Sequence, residues 1–299
     1  MFVNYALSVC FAVTLMVQCS PKNRTIERTP SAKMLWSDEF DYSGAPDATK
    51  WTYDLGDGCP HVCGWGNAEE QFYTDKPENV RVEDGHLVIE AHSAQIKNSN
   101  FTSARLVSKN RKDWKYGKIE VRAKLPQGKG TWPAVWMLPT DNIYGGWPKS
   151  GEIDIMEHVG YARDTVYGTI HTEAYNHSIN THKGGEVFVP DAESAFHLYT
   201  VNWTPQRIEW YLDNVQYFSV ENENLTAAEW PFDENFHLLL NLAVGGHWGG
   251  KHGIDRTVFP QKMLVDYVRV YAADDKKTGN NKEATSDLPA ASANENSGS

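Results

Sequence analysis

Between residues 33 and 273 no stretch sustains an amphipathic helical period for twelve residues. Instead, short alternating or apolar runs recur, each closed by a turn signal such as Glu83, Asp84 and Gly85, or Asp213 and Asn214. The pattern predicts strands over 87–91, 116–124, 165–171, 196–203, 207–212, 236–243 and 265–271, with at most one short helix over 221–229. Many strands at short spacing bury their apolar faces only by stacking or closing sheets. The predicted class is therefore all-β, a sandwich or barrel. The run shows no internal repeat and no second boundary, so 33–273 reads as one domain.

The flanks read differently. Residues 1–19 are apolar from Tyr5 to Val17 apart from Ser8 and Thr14, too short to span a bilayer and suited to an export signal. Cys19 followed by Ser20 is similar to a bacterial lipoprotein processing site, which leaves lipidation and ordinary cleavage both open. Residues 20–32 read as a flexible tether, and 274–299 as a disordered tail with too few apolar residues to bury a core. An exported protein, secreted or held at the cell surface by a lipid on Cys19, is the expectation, and it is expected to be a monomer. Cys59 and Cys63 then read as a small disulfide. A zinc site with His61 is the weaker reading, because no second ligand pair lies elsewhere. Sequons at Asn23, Asn100, Asn176, Asn202 and Asn224 matter only in a host that glycosylates. With 28 basic against 39 acidic residues the net charge is −11, which argues against nucleic acid as a partner. Eleven Trp and fourteen Tyr suit a sugar-stacking surface or an all-β core.

The chemistry concentrates at 151–158, where Glu152, Asp154 and Glu157 stand among Ile and Met. On a strand Glu152 and Asp154 share a face, whereas Glu157 falls on the other. One extra residue near Met156, a β-bulge, restores the parity and gathers all three acids on one face. The two Glu Cα atoms would then lie roughly 13 Å apart. Side chains leaning together would bring the carboxyls to about 5–5.5 Å, the gap of a retaining glycosidase. Asp154 between them could hold the two in different ionisation states. A solvated acidic strand face is the alternative.

Further segments carry a family likeness: WSDEF at 36–40, GWGNAEEQFYT at 64–74, TSARL at 102–106, GTWPAVWMLP at 130–139, NLAVGG at 241–246 and DYVRVY at 266–271. With the acid motif, and in this order, they resemble glycoside hydrolase family 16, in its bacterial laminarinase-like endo-β-1,3-glucanase branch, over roughly residues 34–272. The resemblance implies a jelly-roll β-sandwich whose concave sheet forms a substrate cleft. It implies Glu152 as nucleophile, Glu157 as acid/base and Asp154 as the supporting carboxylate, with no cofactor for catalysis. The extra Met156 is similar to the bulged branch of laminarinases, agarases and carrageenases.

The resemblance also implies sugar contacts at Asn67, Arg105, Trp132, Trp136 and Trp248, with His171 beside the acid/base. Core positions for Trp132, Trp136 and His171, and a surface salt bridge for Arg105, are the alternatives. At 247–250 the chain has His-Trp-Gly-Gly where the family commonly has Asn-Trp-Pro-Gly. A structural calcium ion is implied on Glu39, the Gly85 carbonyl and Asp266. The expected substrate is a β-1,3-glucan. A galactan hydrolase on the same fold, and a non-catalytic β-glucan-binding protein, are the competing readings; the catalytic Glu pair argues against the latter.

Overall fold

Strand β8 (Gly117–Lys124) shows how alternation writes the fold: Ile119, Val121 and Ala123 are buried on one face, while Lys118, Arg122 and Lys124 reach solvent on the other. The same two-residue period recurs through the chain. In a computed structural model, residues 32–273 are described. The expectations for 1–19, for the tether up to residue 31, for Cys19 and for 274–299 lie outside the described residues.

Two antiparallel sheets stack into a jelly-roll sandwich. The outer sheet runs β15 (Val215–Glu221), β14 (Arg207–Leu212), β13 (His197–Trp203), β8, β17 (Gln261–Tyr271), β5 (His86–Ala91), β4 (Val80–Glu83), with β1 (Met34–Asp38) also paired to β17. The concave sheet runs β12 (Lys183–Phe188), β11 (Thr165–His171), β10 (Glu152–Glu157), β9 (Thr131–Pro139), β16 (Phe236–Val244), β7 (Arg105–Val107), β2 (Thr52–Tyr53). A small parallel pair, β3 (Gln71–Tyr73) with β6 (Phe101–Ser103), flanks them. Between the sheets lies one apolar layer that includes Val121, Val201, Trp203 and Trp210 from the outer sheet and Val135, Ile153, Ile170 and Leu240 from the concave one.

The seven predicted strands are present with ends moved by a few residues. The segment 221–229 is not a helix. It closes a single turn, in which Thr226 O accepts from Glu229 N and Thr226 Oγ1 donates to Glu229 Oε2 at 2.5 Å.

The calcium expectation does not fit. Both Glu39 oxygens are held by Arg269, at 2.7 to 3.2 Å, while Asp266 Oδ2 lies 2.5 Å from Arg122 Nη1. His86, beside Gly85, comes within 3.9 Å of Asp266 Oδ1. Calcium needs ionised oxygens turned toward it. Here two different guanidinium groups already occupy those carboxylates.

Candidate active site

Cross-strand register assembles the cleft. In the concave sheet, β11 sets His171 opposite Glu152, Thr169 opposite Asp154 and Tyr167 opposite Glu157. On the other side of β10, Asp154 faces Trp136 while Met156 already faces Val135, so Ile155 is the additional residue. Ile155 and Met156 are consecutive yet both buried in the core. That is the signature of a bulge, and it leaves Glu152, Asp154 and Glu157 on the cleft face. The outer sheet reinforces this point: the Trp210 indole N–H donates to the Asp154 carbonyl at 2.7 Å. Gly168 makes room for that indole, since a Cβ there would stand 2.4 Å from Trp210 Cδ1.

Each catalytic candidate has a distinct partner. Trp147 Nε1 donates to Glu152 Oε2 at 2.6 Å, and Trp132 Nε1 donates to Glu157 Oε1 at 3.0 Å. Asp154, 2 % exposed, shares a hydrogen bond with Glu152, and its Oδ2 lies 3.4 Å from His171 Nε2. His171 Nε2 is also 4.0 Å from Glu152 Oε1. Burial disfavours charge on all three acids. It and the neighbouring Asp154 raise Glu152 to about 8, against its hydrogen bond with Trp147 and the nearby His171. Glu157 rises to about 7, chiefly through burial, with Glu152 and Glu69 adding to the shift. Asp154 is pushed well above the usual carboxylate range by burial and by the Glu157 charge.

Aromatic rings wall the cleft on the Glu157 side. Trp248 packs edge-on against Trp132 and Tyr167, with centroids 5.6 and 5.0 Å away. The Arg105 guanidinium is sandwiched between Trp65 and Trp136 at 4.6 and 4.8 Å, with its Nε 3.1 Å from Asp54. Arg105 is buried, while its partner Asp54 is 38% exposed, so the ion pair reaches the surface at its Asp54 end. Trp136 is a cleft residue, with its indole N–H on Asn241 Oδ1 at 2.7 Å. Asn67 does not reach the acid trio. Its amide meets Glu69 Oε1 at 3.4 Å and its carbonyl accepts from His247 N, which ties the 64–70 loop to the Gly-rich loop. Cys59 and Cys63 are bonded, with Cα atoms 4.2 Å apart; this removes both thiolates from the zinc reading.

Sequence reasoning missed four of the participants. Trp147 lies five positions before Glu152 in a Gly-rich loop, and an exposed indole so close to the acid motif was the available signal. Glu69, held by Gln71 Nε2 at 2.6 Å and Tyr73 OH at 3.2 Å, adds negative charge near Glu157. His177 and His182 lie against His171 at ring distances of 5.1 and 5.9 Å and carried no local signal. Glu152, Asp154 and His171 each place one donor atom within 4.8 Å of the others, a spacing that suits a cation. That trio is the catalytic group itself, with His171 Nε2 already 3.4 Å from Asp154 Oδ2.

Comparison with known proteins agrees with this geometry. Residues 67–281 match the family described as Glycosyl hydrolases family 16. The chain is 49% identical over 271 residues to a beta-glucanase of Rhodothermus marinus, covering 87% of this chain and 93% of that one. It is 40% identical over 257 residues to a glucan endo-1,3-beta-glucosidase A1 of Niallia circulans, covering 80% of this chain and 37% of that longer protein. The solved structure of the laminarinase from Rhodothermus marinus superposes with a TM-score of 0.78 at 50% identity, covering 82% of this chain and 99% of that one.

Proposed function

The chain belongs to glycosyl hydrolase family 16, and from that premise we infer that its cleft hydrolyses internal β-1,3-glucosidic bonds of laminarin-type glucans with retention of configuration. Glu152 attacks the anomeric carbon while protonated Glu157 gives its proton to the leaving glycosidic oxygen. The carbon–oxygen bond breaks as the glycosyl–Glu152 ester forms. Glu157, now ionised, takes a proton from water. That water attacks the anomeric carbon, the bond from that carbon to the Glu152 oxygen breaks, and Glu152 leaves as a carboxylate. Acid, base and nucleophile all come from the chain, so the cycle calls for no cofactor.

The observation that carries this reading is the pair of indole N–H groups, one on each Glu, flanking a buried Asp on a single cleft face. Asp154 is hydrogen-bonded beside the nucleophile, and burial with the Glu157 charge holds it toward its protonated form. His171 steadies that pair. The Trp132, Trp248 and Tyr167 rings receive the flat faces of sugars on the leaving-group side. Arg105 and Trp136 shape the neighbouring part of the cleft, and Asn67 holds the 64–70 loop against the loop that carries Trp248. The enzyme acts as a monomer outside the cytoplasm. A polymeric substrate and the Cys59–Cys63 disulfide both support that placement.

Incubation with laminarin, lichenan, agarose and carrageenan in parallel tests the substrate. A ladder of short oligosaccharides from laminarin, with little product from the galactans, is expected. Preferential cleavage of agarose or carrageenan would replace the glucan assignment with a galactan one.

A further inference from the structure

We propose that His177 is a positioning residue for the nucleophile, its imidazole bracing the Trp147 indole so that the indole N–H stays on Glu152. The proposal rests on Glu152 being the nucleophile, as argued above.

Trp147 sits in the loop between β9 and β10 and is 45% exposed, so the sandwich core does not fix its ring. Yet its N–H makes a 2.6 Å hydrogen bond to Glu152 Oε2, which requires one orientation. Among the described residues the ring contacts of Trp147 are His177, with centroids 5.1 Å apart at 37°, and His171, 6.0 Å away at 48°. His177 also meets His171 edge-on at 5.1 Å. It therefore touches both rings that flank the nucleophile, one donating to Glu152 and the other beside Asp154 and Glu152.

The loop carrying His177 is built to hold still. Residues His177–Ile179 form one 3-10 turn, capped at its start by Asn176 Oδ1 on Ser178 N at 3.1 Å. Asn176 is buried, and its amide donates to the carbonyls of Thr172 and Glu173 at 3.0 and 3.2 Å. The left-handed Asn180 closes the turn. A second tie between the two loops, Lys149 to Glu173 at 2.9 Å, joins side chains that are both about half exposed; such pairs are weak and salt-screened. The tilted ring contact is the tie that bears on orientation. Burial, with His171, His182 and His247 nearby, lowers the His177 pKa, which keeps the ring neutral against the indole.

The groups facing Glu152 are Asp154 on its own strand, His171 on β11 and Trp147 on the preceding loop. The Trp147 bond favours ionised Glu152, so losing it moves the acidic limb of the kcat/KM profile to higher pH.

The test compares His177→Ala, His177→Phe, Trp147→Phe and the double variant His177→Ala/Trp147→Phe, with Glu152→Gln as reference, on laminarin across pH. His177→Ala is expected to lower kcat about tenfold, to leave KM within about twofold, and to shift the acidic limb upward. His177→Phe, which keeps a flat ring, restores most of the rate. In the Trp147→Phe background His177→Ala adds nothing further, because both act through the same N–H. A change confined to KM, no rescue by Phe, or losses that multiply in the double variant would overturn the proposal. Turnover retained by Glu152→Gln would remove the nucleophile assignment itself. An inert Glu152→Gln beside an unmoved acidic limb in His177→Ala removes only the present inference.

Discussion

Glu152 must act as an anion in a place that favours its acid form. Taken singly, a carboxyl raised to about 8 would keep its proton at neutral pH. The Trp147 indole donor and the nearby His171 pull the other way and favour the ionised nucleophile. Glu157, raised to about 7, is available as an acid near neutrality, so activity should decline as pH climbs through that value. The same shift sets a stability cost. The unfolded chain releases the Glu152 proton near the ordinary value of 4.5, and the folded chain near 8. Between those values the folded state binds the extra proton, so stability falls as pH rises and levels off above about 8. Glu152→Gln should therefore abolish turnover while leaving glucan binding intact, and should raise stability at pH 7–8 by on the order of 1–3 kcal/mol with little gain near pH 4. Equal melting shifts at both pH values, or activity within tenfold of the parent, would contradict this. Glu157→Gln should slow laminarin severely but an aryl β-glucoside far less, because a good leaving group needs no proton. Equal losses on both substrates would deny it the acid role. These three acids were legible in the sequence because their spacing violates strand alternation. Glu69 and His177 were not, because nothing local marks a residue whose partner is brought by another loop, whereas Trp147 carried one sign, an indole five positions before the acid motif.

The unit that makes the site work is the bulged strand β10. The odd spacing from Glu152 to Glu157 forced a bulge near Met156, and the register places the extra residue at Ile155, one position away. What the sequence did not disclose is the brace on it. Trp210, on β14 of the opposite sheet, was read only as part of an alternating strand, yet its N–H crosses the sandwich to the Asp154 carbonyl. Trp210→Phe keeps the ring volume and removes that donor, leaving a buried carbonyl unsatisfied at a cost of about 1–3 kcal/mol. The expected result is a lower melting temperature together with a reduced kcat, as Asp154 loses its fixed height. Loss of stability with unchanged kcat would show that the brace serves folding alone. The very short strands went unread for a related reason. β2, β3, β6 and β7 have two or three residues each, too few to show a period, and they exist only because distant partners offer an edge.

Residues 32–273 form a two-sheet sandwich whose concave sheet carries the acid trio. The all-β class was readable from turn-punctuated alternation alone, which left a sandwich and a barrel both open, and the family likeness pointed to the sandwich. The convex-side metal expected from family likeness did not survive the structure, because Arg269 and Arg122 take the carboxylates. That is a matter of which side chains meet in space, and linear spacing carries no trace of it. The cleft combines aromatic walls, a stacked Arg105 and paired carboxylates, and this combination accommodates an uncharged polymer running across the concave sheet. Glu152 and Glu157 together give double displacement on internal β-1,3-glucosidic bonds, and proton NMR of the first reducing ends released from laminarin, before mutarotation, reads that out. The β-anomer should appear first, on oligosaccharides of several lengths, with the α-anomer following only as the sugars equilibrate. An α-anomer formed first would mean direct displacement by water, and would contradict the roles assigned to both residues.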